Sequence, residues 1–185
     1  KKLEIHDLNL SNYDISKVEK KLTSIKTKFD VGVRNTNKDK IIAVTMATSR
    51  QGAAVVKHLS SEGKYKVRAI TRDPQSDRAL KLGELKNVTL IKGDLLDKSS
   101  LRRAFEGVYG IFGNTTPTKV FGMDSHYEMN QGLNLIDVIK EIRLSGYLHH
   151  FIFSSICKGK DPLKGIEIPA HFSTKWSLEE YINIK

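Results

Sequence analysis

From Lys40 onward, short apolar runs alternate with helix-patterned segments, and this alternation restricts the chain to one class of architecture. Ile41-Ile42-Ala43-Val44-Thr45 is a continuous apolar run, as a strand buried on both faces requires. A helix is predicted from about Ala53 to Ser61, followed by a strand at Lys66-Val67-Arg68-Ala69-Ile70-Thr71. Further helices are expected at about Ser76 to Leu85, Ser99 to Phe105, Tyr127 to Ser145 and Thr174 to Ile182. Between them lie strands at Val88 to Lys92, Val108 to Phe112 and His150 to Ser155. Strands that alternate with helices through right-handed crossovers predict an α/β fold. Its core is a doubly wound parallel sheet in the order 3-2-1-4-5.

Residues 1–39 differ, and form a basic N-terminal extension to the domain of residues 40–185. Ile15, Val18, Leu22 and Ile25 recur at three- and four-residue spacing, one apolar stripe on a lysine-rich helix. Gly32, Asn35, Asn37 and Asp39 then read as a linker. The extension is expected to dock on its own domain or on another protein. The net charge of +10 is spread along the chain without zinc-ligand spacing or an aromatic-rich RNA motif, which reads as a solvated basic surface rather than a nucleic-acid groove. No run approaches a membrane span, and no secretory signal opens the chain. The single cysteine, Cys157, fits a reducing compartment, so a cytoplasmic or nuclear protein is expected.

In a sheet of this order the ligand sits beyond the carboxyl ends of the first and fourth strands, where strand order reverses. The segment that decides function is therefore Thr45-Met46-Ala47-Thr48-Ser49-Arg50-Gln51-Gly52. It resembles the phosphate-binding loop of the NmrA-like family of atypical short-chain dehydrogenase/reductases, whose Rossmann domains carry Thr-Gly-Ala-Thr-Gly-x-Gln-Gly there. In that register Met46 replaces the first glycine, Ser49 replaces the second, and Gly52 is the third. The first glycine makes the tight turn, the second admits the pyrophosphate, and the third packs helix on strand. The loop is thus expected to keep the fold and to weaken dinucleotide binding, through strain at positive φ or obstruction of the phosphate.

The resemblance runs through about residues 40–182. Ala69-Ile70-Thr71-Arg72-Asp73-Pro74 is similar to the family's second-strand end, which implies that Arg72 meets the 2′-phosphate of NADP. Lys92-Gly93-Asp94-Leu95-Leu96-Asp97 is similar to the third-strand end, which implies that Asp94 lies near the adenine; the alternative is a cap on the turn before Ser99. Asn114, Thr115 and Thr116 end the fourth strand, on the nicotinamide side. The resemblance thus implies a cofactor site drawn from Thr45, Ala47, Ser49, Arg50, Gln51, Gly52, Arg72, Asp94, Asn114 and Lys175. NADP is the implied cofactor, with its affinity weakened or lost.

For catalysis, conventional relatives use Tyr-x-x-x-Lys, with the phenol as general acid. Here His171-Phe172-Ser173-Thr174-Lys175 puts His171 in the tyrosine's place and Lys175 in the lysine's. It resembles the NmrA-like variant, in which the lysine serves cofactor binding. His171, Lys175 and Ser155 (at the usual catalytic serine) are weak catalytic candidates, and no metal site is expected. The family continues into a substrate lobe beyond the helix at Lys175; that lobe is missing here, and a protein partner is expected on the open sheet edge or the extension. Three readings follow: a non-catalytic NADP-sensing or regulatory module, an NADP-dependent reductase without its substrate lobe, or a scaffold subunit of a larger assembly.

Overall fold

The computed structural model describes residues 40–117, 125–156 and 170–183, with side-chain detail omitted for Ser125 and for residues 170–172. The N-terminal helix expected around Ile15 to Ile25, the 1–39 extension and Cys157 lie outside the described residues. The described elements run β1 (Ile41–Val44), α1 (Arg50–Glu62), β2 (Lys66–Thr71), α2 (Asp77–Gly83), β3 (Val88–Lys92), α3 (Lys98–Ala104), β4 (Gly110–Gly113), α4 (Ser125–Arg143), β5 (His150–Phe153) and α5 (Ala170–Asn183). The strands form one five-stranded sheet ordered β3-β2-β1-β4-β5, as the alternation predicts. All neighbouring strands pair in parallel.

Strand alternation divides the core into two layers. Ala43, Ile70 and Ile111 face one side, where Leu101 and Ala104 of α3 and Leu135, Val138 and Ile139 of α4 cover them. Val44, Val67 and Ala69 face the other, under Val56 of α1 and Leu82 of α2. The central strands β1 and β4 are thus clad on both faces, which is why their runs read as continuously apolar.

Element ends depart from expectation for local reasons. Helix α1 begins at Arg50, earlier than Ala53, because Ser49 caps it: its Oγ accepts from the Gly52 amide at 3.1 Å. Strand β4 starts at Gly110, after Val108 has been tied back by its amide to the Phe105 carbonyl. Strand β5 stops at Phe153, opposite Gly113, where β4 also ends.

Gly52 lies where α1 meets the loop. A Cβ there would sit 2.8 Å from the Met46 carbonyl carbon and 2.9 Å from Ala47 Cα, both backbone atoms that no rotamer change can move. Gly52→Ala should therefore cost about 1–3 kcal/mol. A thermal melt should show a fall of roughly 3–10 °C; an unchanged melting temperature would mean that the loop relaxes freely.

Candidate functional site

The carboxyl ends of β1, β2, β3 and β4 converge on the loop after β1. Thr45 starts it, and its duty is structural. Its Oγ1 donates to the Asn114 carbonyl at 2.9 Å and accepts from the Asn114 amide at 2.7 Å, locking the ends of β1 and β4 together. Ala47 is fully buried, its amide donating to the Ile70 carbonyl at 3.0 Å.

Met46 has a φ of +50°, in the left-handed region that the family's first glycine would take without cost. A non-glycine residue there carries about 1–2 kcal/mol of strain. Its side chain packs on the core layer beneath and receives a contact from Thr116 Oγ1 to Sδ at 3.5 Å. Ser49 corrects the strain expected of it. Its φ of −73° and ψ of 164° are ordinary extended backbone. What it removes is a donor, because its own hydroxyl occupies the Gly52 amide. The amides of Thr48, Arg50 and Gln51 keep no protein partner among the described residues. As first-turn donors of α1, the last two can still receive an anion. The phosphate cradle is diminished rather than closed.

Beside this loop a cleft of about 170 Å³ is lined by Thr45, Met46, Thr48, Thr71, Arg72, Gly93, Asp94 and Gln131, among others. Arg72 is exposed, with Nη1 3.4 Å from the Tyr127 hydroxyl, so its other donors remain available. Asp94 does not cap α3; Asp97 does, its Oδ1 accepting from the Ser99 amide at 2.8 Å. Asp94 caps the turn before that helix, as its alternative reading expects, with Oδ1 accepting from the Leu96 amide at 2.9 Å.

Across the mouth, Gln51 leans away from the cleft: its Oε1 accepts from Ser154 Oγ at 2.8 Å. Ser155 Oγ donates to Glu179 Oε2 of α5 at 2.8 Å. Arg50 is exposed. The backbone of His171 lies in α5, but its side chain is outside the described residues.

The most buried polar group set was only half visible beforehand. Lys175 of α5 is 5% exposed; its Nζ donates to Thr115 Oγ1 at 2.9 Å and lies 3.3 Å from Glu128 Oε1. Thr115 Oγ1 in turn donates to the same Glu128 oxygen at 2.8 Å, and Glu128 is fully buried. Gln131 Oε1 accepts from the Thr116 amide at 2.9 Å. Burial pushes the Lys175 amine below its usual range, against the upward pull of the Glu128 carboxylate. Glu128 and Gln131 were not singled out from sequence. The available signal was their position: they fall seven and four residues before Leu135, on the stripe of α4 that becomes core.

The assembled features are a parallel sheet reversing direction at β1 and β4, a modified glycine loop opening a helix, an arginine at the end of β2 and a buried lysine on α5. Comparison with known proteins identifies the family. The NmrA-like family model matches residues 38–184. The NmrA-like family domain-containing oxidoreductase notA' of Aspergillus versicolor is 32% identical over 147 residues, covering 80% of this chain and 40% of that protein. Among solved structures, NmrA, a negative transcriptional regulator in complex with NADP, is 29% identical with a TM-score of 0.60, covering 78% of this chain and 42% of NmrA. The NADP(H) complex of Citrobacter sp. triphenylmethane reductase, at 22% identity and a TM-score of 0.59, shares the fold. The chain spans about two fifths of the length of these relatives. With the family model matching residues 38–184, this chain is a member of the NmrA-like family.

Proposed function

We propose that this domain is a sensing module that binds NADP with reduced affinity and acts through a protein partner, without reducing a substrate. The observation that carries the reading is the state of Lys175. In a Tyr-x-x-x-Lys site the lysine lowers the pKa of a phenol four residues before it. Here its amine is enclosed between Thr115 and Glu128, and the position four residues earlier holds His171.

The residues present fit one half of a dinucleotide better than the other. Arg72 offers a guanidinium to a 2′-phosphate, and the cleft at Gly93 and Asp94 has room for an adenine edge. The first-turn amides of Arg50 and Gln51 would take pyrophosphate oxygens, with Met46 crowding the approach. On the nicotinamide side the Lys175 amine is engaged by Thr115 and Glu128, and of Asn114 the backbone is held by Thr45. NADP would supply a ring able to carry hydride. NmrA itself, a regulator solved with NADP, supports this reading by likeness. Strand β5 is an edge of the described sheet, with Ile152 62% exposed, and is the surface proposed for the partner.

A second reading is favoured by the relatives named as oxidoreductases: a reductase acting with parts that this chain does not contain. NADPH oxidation with a panel of aldehydes, ketones and quinones separates the two. The sensing reading expects no turnover above the protein-free rate. Turnover that disappears in His171→Ala would establish the reductase.

A further inference from the structure

At the end of the sheet opposite the glycine loop lies a larger hollow, about 350 Å³, formed by the starts of β1, β2 and β3 and the end of α3. It exists because α3 is too short for the strands beneath it. Seven residues of helix span roughly 10 Å, whereas the six residues of β2 span roughly 20 Å. The amino-terminal half of the β2–β3 face is therefore left uncovered by the described helices. Ile41 and Ile91 give it an apolar floor, and Lys66, Arg68 and Arg103 bring three cations to it against one carboxylate, that of Glu106.

Arg68 is the feature that makes this a receptor rather than a packing gap. Its Nη1 donates to the Ala104 carbonyl at 3.0 Å and to the Glu106 carbonyl at 2.6 Å, the free acceptors at the end of α3. Both bonds use the same nitrogen. The guanidinium is thus held in place at one corner, while Nε and Nη2 keep their hydrogens for another partner. Two parallel N–H groups on a fixed guanidinium are the arrangement that binds carboxylate or phosphate oxygens in pairs. The Arg103 side chain makes no ion pair or hydrogen bond among the described residues.

We propose that this hollow is a second ligand site, distinct from the dinucleotide cleft, and that it takes a small organic anion: a carboxylate or phosphate on an apolar body. The anionic head pairs with Arg68 and Arg103, and the body lies on Ile41 and Ile91. The volume is at the lower end of the range for small-molecule sites, about 300 Å³ upward, which sets the ligand at one ring or a short chain. Arg68 lies near the start of β2 and Arg72 just past its end, about 13 Å further along, so the two sites are at opposite ends of β2.

The test is titration of the labelled protein with phenyl phosphate, followed by amide chemical shifts, with phenol and inorganic phosphate as controls. Saturable shifts are expected at Lys66, Arg68, Thr89 and Arg103, with phenyl phosphate binding tighter than either control. Saturating NADP should leave them unchanged. Arg103→Glu, an exposed change outside the core, should weaken binding about tenfold or more. Arg68→Lys, which keeps the charge but loses the fork, should weaken it as well. The proposal is overturned if no saturable shift occurs at these residues, if the shifts fall on Thr45 to Thr48 and NADP abolishes them, or if Arg103→Glu binds as tightly as the parent.

Discussion

Lys175→Met is expected to cost this domain about 3–5 kcal/mol of stability, the largest effect of any single change considered. Methionine preserves most of the volume, so the loss is electrostatic. It leaves the Glu128 carboxylate, fully buried, without its ammonium partner. Thermal unfolding should move down by on the order of 10 °C. The double variant Lys175→Met with Glu128→Gln should recover much of that, because removing both charges also removes the cost of desolvating them. If the single variant melts within a degree or two of the parent, the pair is not buried as described.

Restoring glycine at both altered loop positions, Met46→Gly with Ser49→Gly, should tighten NADP binding by roughly tenfold or more. The strain at Met46 is not the source of that gain. It is present before any ligand arrives, so relieving it stabilises the fold and leaves the binding equilibrium where it was. Affinity comes from two other changes. Ser49→Gly releases the Gly52 amide to the anion at a helix-capping cost of a few tenths of a kcal/mol. Met46→Gly clears a side chain from the cleft lining. The freed Gly52 donor alone should contribute about 1.5 kcal/mol or more, the worth of one hydrogen bond to a charged group. Arg72→Ala in that background should remove the preference for NADP over NAD and leave NAD binding nearly unchanged. Unaltered NADP affinity in the double glycine protein would place the obstruction elsewhere.

The fold was legible because its signals are local and repeated. Unbroken runs such as Ile41 to Val44, short and rich in β-branched residues, suit strands clad on both sides, and the segments between them carry helical spacing. The site was legible at the positions where a family motif fixes the register, notably Met46, Gly52 and Arg72. What each replacement does was less so. Met46 and Ser49 look equivalent as lost glycines, yet one holds a left-handed φ and the other an extended one. Backbone dihedrals are set by the turn as a whole, and a residue letter does not reveal them. The Glu128–Lys175–Thr115 set was hidden for a different reason. Its members are 47 and 13 residues from Glu128 along the chain, and helix packing alone brings them together. A glutamate on a helix reads as solvated until the face it occupies is known to be core.

The claim that a weakened NADP site persists is tested most directly by calorimetric titration of the unaltered protein with NADP and, separately, with NAD. The account predicts saturable binding of NADP, tighter than NAD by the contact that Arg72 supplies and weakened by Arg72→Ala. Absence of measurable binding by either dinucleotide, with the protein folded by its thermal melt, would contradict it and leave the domain as a scaffold.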